Sequence, residues 1–287
     1  MPELPEVEVV RAGMQRHFAG ARITDIDIRA LRSVRRHLDG PQGFSAALAA
    51  QRVVSFERRG KFIWALLDDP NTALVVHLGM SGQVLAQRSL QNLPVHARVI
   101  LSLKPAPHMV FSDQRMFGGM HVDALIESAG RLVPQSMAHI AADPFEPVFD
   151  VVAVAARMRR SNSAVKSVLL NQQVVSGIGN IYADEALWRA KLDWARPASN
   201  VSLAKLQELL DAAKQVMGEA LAAGGTSFDS MYVNVNGSGG YFSRSLNAYG
   251  REGEPCPRCG GAIIREKFEN RSAFRCTRCQ RRQTAPL

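Results

Sequence analysis

The sequence predicts an α+β chain: a β-rich N-terminal domain behind one leading helix, a helical second half, and a small cysteine-held β-hairpin at the end. Three observations carry this reading. Short runs rich in β-branched and aromatic residues fill the first part of the chain, separated by turn signals. From about residue 150 the apolar residues recur three and four apart. All four cysteines fall in the last, basic segment. At 287 residues and 31.4 kDa the chain exceeds one small core. Its 46% hydrophobic and 21% charged content is that of a soluble globular protein. No stretch reaches the roughly 18 apolar residues of a membrane span, and the start, MPELPEVEVV, places acids where a signal peptide needs bases. Disorder, membrane insertion and export are set aside, and a cytoplasmic location is expected.

The elements follow in order. Residues 5–19 read as a helix, with Pro5 in its first turn, Glu6 and Glu8 near its positive end and Gly20 after its stop. Val7, Val10, Met14 and Phe18 form its apolar stripe. The runs ITDIDIRA, RVVSFE, KFIWALL, ALVVHLGM, ARVILSL and MVFSD read as strands of a sandwich or barrel. Pro134, Pro144 and Pro147 mark a linker over 134–149. VVAVAARMRR, AVKSVLLN, YADEALWRAK and SLAKLQELLDAAKQVMGEALAA read as helices, the last closed by Gly224-Gly225.

The charge is less ordinary. A formal net of +9 comes from 28 arginines and seven lysines against 26 acids. Residues 244–287 alone hold ten basic and four acidic side chains, a net of +6. Such a footprint suits a polyanion, although a solvated surface explains charge alone equally well. In the same segment Cys256, Cys259, Cys276 and Cys279 are spaced C-x2-C, sixteen residues, C-x2-C. A reducing compartment does not keep structural disulfides, and paired thiolates at this spacing suit one tetrahedral zinc. Between the pairs, IIREKF, Asn270-Arg271-Ser272 and AFRC read as a hairpin with Arg271 at its tip. The segment is too short to bury a core, so the metal supplies its folding energy.

Four further places could carry chemistry. Removal of Met1 leaves Pro2 with a secondary amine, partly unprotonated at neutral pH because an α-amino group has a pKa near ~8. Such an amine attacks a sugar C1′ to give a Schiff base, with Glu3 beside it as acid or base; taken alone, an ordinary frayed terminus is the commoner meaning. Lys61, the only lysine in the first hundred residues, sits in the turn Arg58-Arg59-Gly60-Lys61. It marks proton transfer or a phosphate contact, or is a plain solvated charge. Ser176-Gly177-Ile178-Gly179-Asn180 joins two helices, frees the backbone to approach a phosphate, and offers Asn180 as a cap. It lacks the third glycine and preceding strand of a dinucleotide fingerprint, so no nucleotide cofactor is expected. Finally, Asp113-Gln114-Arg115-Met116-Phe117-Gly118-Gly119, with Met80 in HLGMSG, offers apolar wedges and a cation to fill the hole left by an extruded base. Core packing is the default for Met80 and Phe117, but the glycines beside both suit loop tips.

Taken together, PELPEVE, RRGK, HLGMSG, DQRMFGG, SGIGNIYADEALW and the cysteine hairpin resemble, in order and from end to end, the formamidopyrimidine-DNA glycosylase family. The resemblance implies an N-terminal β-sandwich catalytic domain over 2–133 and, after the linker, a helix–two-turns–helix DNA-binding domain over 150–243. That domain would carry a lesion loop at 224–241, with a zinc-finger hairpin following at 244–287. It implies a monomer acting on damaged double-stranded DNA in a bacterial cytosol, excising oxidised purines and nicking the strand. Pro2 would be the nucleophile, Glu3 the proton donor, Lys61 active in β-elimination and Arg271 in δ-elimination. His96, Arg115 and Asn180 match DNA contacts; Met80, Arg115 and Phe117 match the void-filling trio. One departure is Ser161, after Arg159-Arg160, where the family often has a DNA-contacting lysine. The related endonuclease VIII branch, which prefers oxidised pyrimidines, typically reads PEGPE where this chain has PELPE. A zinc-ribbon regulator without catalysis gives Pro2-Glu3 no role.

Overall fold

The structure is a computed structural model that describes residues 2–128, 130–224 and 245–282. Contacts divide the described residues into two compact units, one of residues 2–139 with 223 and 224, the other of residues 140–222 and 245–282.

The first unit is a β-sandwich behind helix α1 (Leu4–Phe18). One sheet has the order β1 (Arg22–Ile28), β6 (Ala97–Lys104), β7 (His108–Asp113), β5 (Gly82–Gln87). The other runs β2 (Val53–Arg59), β3 (Phe62–Leu67), β4 (Thr72–His77), β8 (Gly119–Ser128), β9 (Arg131–Pro134). Every pairing is antiparallel. Alternation along the strands turns Ile63, Ala65, Leu74, Val76, Val99, Leu101, Met109 and Phe111 into one core. The predicted stripe of α1, Val7, Val10, Met14 and Phe18, joins that core.

Among the described residues, one α-helix and three strands are not legible in the sequence: α2 (Gly40–Leu48), β5, β8 and β9. α2 carries two glycines and a proline, poor helix formers, and is held instead by burial of Phe44 and Leu48. β8 opens on glycine and mixes His, Asp and Glu into its run, which hides its period. The proline-marked segment is packed rather than loose, since Met137, Ile140 and Asp143 are buried.

The second unit holds α3 (Val151–Arg159), α4 (Val165–Leu170), α5 (Asn180–Arg189), α6 (Leu203–Ala222), and the hairpin β10 (Ile263–Phe268) and β11 (Arg271–Cys276). Asp150 caps α3 by accepting from the Val152 and Ala153 N–H groups. Beyond α6, Gly224 takes φ +78°, a left-handed conformation suited to a helix stop. The lesion-loop reading falls, beyond Gly224, outside the described residues, as does Gly225. Among the described residues, no helix is long and apolar enough to cross a membrane.

Candidate active site and nucleic-acid interface

Pro2 and Glu3 lie immediately before α1, and both are buried. Glu3 is the N-cap residue. Its carboxylate accepts from the Glu6 N–H, while Glu6 Oε2 accepts from the Glu3 N–H at 2.9 Å, so the first turn closes as a capping box. Pro2 is therefore presented from a pinned helix end.

Lys61 is half-buried in the two-residue turn Gly60-Lys61 between β2 and β3, where Gly60 adopts φ +55°. Arg58 ties this turn to α1. Its guanidinium donates to Glu8 Oε2 at 2.8 Å and to the Gly60 carbonyl at 3.0 Å. Burial opposes ionisation of Glu8, but hydrogen bonds from Arg11 and Arg58 hold its carboxyl below the usual range. The helix that presents Pro2-Glu3 and the hairpin that presents Lys61 are thus one braced assembly.

The loops bearing Met80 and Arg115–Phe117 are also braced. Met80 and Phe117 are 36% and 41% exposed, unusual for side chains of their size and consistent with tips rather than core. The Arg115 guanidinium lies 4.9 Å from the centre of the Phe117 ring, so the two side chains share one side of the loop. Arg35, unremarked in the sequence, donates to the carbonyls of Phe117 and Gly118 at 3.3 and 3.2 Å. His96 is half-buried, and its Nδ1 faces Arg98 Nη2 at 3.2 Å.

In the second unit, Asn180 departs from its expected role. Gly179 is the N-cap of α5, and Asn180, already helical, donates from Nδ2 to the Ser272 carbonyl at 3.0 Å. The helix begins one residue earlier than the cap reading required, so the side chain is free to reach the hairpin. Lys166 donates to the same carbonyl at 3.1 Å and pairs with Asp184 at 2.7 Å, both side chains fully buried. Asp184 also accepts from the Phe274 N–H at 3.0 Å. Burial pushes the Asp184 carboxyl up, against the pull of Lys166. Arg271, exposed, opens β11 directly after the turn Glu269-Asn270 and is held by the carbonyl grip on its neighbour Ser272. The sequence shows Lys166 and the acid pair Asp184-Glu185 on largely apolar helical runs, but not that they meet.

The four cysteine Sγ atoms lie within 4.8 Å of one another, with Cys259 3.5 Å from Cys276 and 3.3 Å from Cys279. Tetrahedral zinc with Zn–S near ~2.3 Å sets an S–S edge of about 3.8 Å, so this donor set fits one structural zinc. The Trp188 indole N–H donates to Cys256 Sγ at 3.3 Å, and Arg258 stacks on that indole at 3.9 Å.

Residues 1–120 match the formamidopyrimidine-DNA glycosylase N-terminal domain, 140–231 the H2TH domain of the same enzymes, and 253–282 the zinc finger found in FPG and IleRS. The formamidopyrimidine-DNA glycosylase of Rhodococcus jostii is 53% identical over 280 residues, covering 98% of this chain and 96% of that protein. The chain belongs to the formamidopyrimidine-DNA glycosylase family. The enzyme of that name from Mycolicibacterium paratuberculosis is 54% identical, with 98% and 99% covered. Among solved structures, the Fpg protein of Thermus thermophilus matches at TM-score 0.83 and 29% identity, covering 97% of this chain and 98% of its own. A Lactococcus lactis Fpg mutant in complex with Fapy-dG-containing DNA matches at TM-score 0.86 and 27% identity, covering 98% and 100%. The family's zinc finger is thus present here with its four cysteines, as the spacing predicted.

Proposed function

We propose that this chain is a bifunctional DNA glycosylase and abasic-site lyase that removes oxidised purines, 8-oxoguanine and formamidopyrimidines, from duplex DNA. The observation that carries the reading is the pinned start of α1, where Pro2 and Glu3 stand at a capped helix end braced through Arg58 to the turn of Lys61. Once Met1 is removed, the Pro2 nitrogen attacks C1′ of the damaged nucleotide. Glu3 supplies the proton that activates the sugar, and the base departs as a Schiff base forms. Lys61 serves the β-elimination that breaks the strand on one side of the sugar, and Arg271 the δ-elimination on the other. His96, Arg115 and Asn180 bind the DNA, while Met80, Arg115 and Phe117 fill the space vacated by the extruded nucleotide. The similar Lactococcus lactis structures hold Fapy-dG and abasic-site DNA, which supports damaged duplex DNA as the partner.

Borohydride added during turnover on an 8-oxoguanine duplex tests this directly, because only an amine forms a reducible imine. The expected adduct maps to the N-terminal peptide at Pro2. Trapping solely on Lys61 would overturn the assignment, and a preference for thymine glycol over 8-oxoguanine would move the chain to oxidised pyrimidines.

A further inference from the structure

We propose that Asp113 is the positioning residue for base extrusion: one buried carboxylate sets both wedge loops, and its backbone orients His96. The proposal rests on the reading of Met80, Arg115 and Phe117 as void-filling side chains.

Asp113 ends β7 and is fully buried. Its Oδ1 accepts from Ser81 Oγ at 2.5 Å and from the Arg115 N–H at 3.2 Å, and its Oδ2 from the Gly118 N–H at 2.8 Å. Ser81 Oγ accepts in turn from the Arg115 N–H at 3.1 Å. One carboxylate therefore holds the residue after Met80, the backbone of Arg115 and the residue after Phe117. The two loops also meet backbone to backbone. A Cβ on Gly79 would stand 2.5 Å from the Gly118 nitrogen, closer than any side chain tolerates.

The chain between the two grips is not relaxed. Met116 has φ +52°, which a residue with a side chain adopts only where its surroundings over-determine it. Here they do. Asp113 fixes the amides on either side, and Arg35 reaches the carbonyls of Met116, Phe117 and Gly118. The tips stay exposed while their bases are locked, which is how a wedge is pre-organised rather than formed on contact.

The backbone of Asp113 reaches His96 as well. Its N–H donates to the His96 carbonyl at 3.0 Å, and its carbonyl accepts from Arg98 Nε at 2.9 Å. Arg98 Nη2 then meets His96 Nδ1 at 3.2 Å. Arginine has only donors, so Nδ1 is the bare nitrogen and Nε2 carries the proton. His96 is left with a hydrogen-bond donor, which is what a phosphate oxygen takes. All four DNA-contact candidates of this unit thus converge on one residue that is itself fully buried. An ionised carboxylate only accepts; an asparagine would turn an NH2 group toward these donors.

The test compares the parent with Asp113→Asn, Ser81→Ala and Ser81→Thr. Single-turnover cleavage is measured on a duplex carrying 8-oxoguanine and on the same duplex with a preformed abasic site. Extrusion costs more where a base must leave the stack than where none is present. At saturating protein, Asp113→Asn should lower 8-oxoguanine excision by between about tenfold and a hundredfold and abasic-site cleavage by distinctly less, so that the ratio of the two rates falls. Ser81→Ala should move the same ratio in the same direction by less, and Ser81→Thr should restore it. An independent readout is 2-aminopurine beside a tetrahydrofuran abasic analogue, which brightens when a wedge unstacks it. The parent should brighten it, and Asp113→Asn should blunt the rise when both proteins are compared at saturating concentration. Equal loss on both substrates, or an unchanged ratio, overturns the positioning role. A parent that binds without brightening 2-aminopurine also overturns it. A parent that brightens the probe but cuts neither substrate refutes the enzymatic reading instead.

Discussion

His77 shows how burial within the sandwich makes a single side chain sensitive to acid. Its ring stacks on Phe62 at 5.4 Å, and burial, with help from Arg36, Arg35 and His121, pushes its pKa down to about 4. The folded pKa is below the unfolded value near 6.5, so the stability tied to neutral His77 is present above pH 6.5 and lost as pH falls toward 4. Urea unfolding at pH 7.5 and pH 5 should show the parent losing about 2 kcal/mol more than a His77→Asn variant, which does not titrate. An identical pH response in the two proteins would remove His77 as the cause. Glu3 invites a different substitution. Glu3→Gln keeps an oxygen to accept from the Glu6 N–H, so it preserves the cap while removing the proton. Base excision should fall by ~10²–10⁴-fold with lesion binding and thermal stability retained; a comparable loss of binding would reassign Glu3 to structure.

At the scale of elements, α5 is the docking helix of its unit. Every residue from Tyr182 to Trp188 is buried. Asp184 takes the Phe274 amide, Glu185 takes the amides of Asn247, Ala248 and Tyr249, and Trp188 touches Cys256. Removing one member of the Lys166–Asp184 pair leaves a buried charge, so Asp184→Ala should cost about 3–5 kcal/mol. Replacing both by methionine and leucine should return most of it by denaturant titration; a double variant as unstable as the single would show that the pair itself, and not the orphaned charge, sets the cost. Serine in place of Cys256 should release zinc and lower DNA affinity while the N-terminal unit keeps its unfolding transition. Unchanged affinity in metal-free protein would contradict this. The same elements show what was legible in the sequence. Helices with regular apolar spacing and strands rich in Val, Ile and Phe could be read directly, as could the cysteine spacing. Asp113, Arg35, Lys166 and Asp184 were not, because each acts on partners that folding alone brings near: Ser81 lies 32 positions from Asp113, and Phe117 lies 82 from Arg35. Asp113 did leave one local trace, an Asx turn to the Arg115 amide.

For the molecule as a whole, charge decides how it meets DNA. Residues 244–287 carry +6 of the net +9 and contain the hairpin, where Arg271 is exposed. Affinity should therefore fall steeply with salt, and Arg271→Ala should lower the log–log slope by about one unit if it meets a single phosphate. A slope equal to the parent's removes that contact. The indole of Trp188 adds a property of another kind. It shares a hydrogen bond with one of the metal-binding sulfurs and carries an arginine on its face, whereas the other two tryptophans lie elsewhere, Trp64 under Arg131 and Trp194 bonded to Glu266. Drawing zinc away changes the electron density on that sulfur and so the fate of the excited indole beside it. The chain's own ultraviolet emission becomes a gauge of its metal content, readable in a cuvette without label or chelating dye, with a Trp188→Phe variant as its blank.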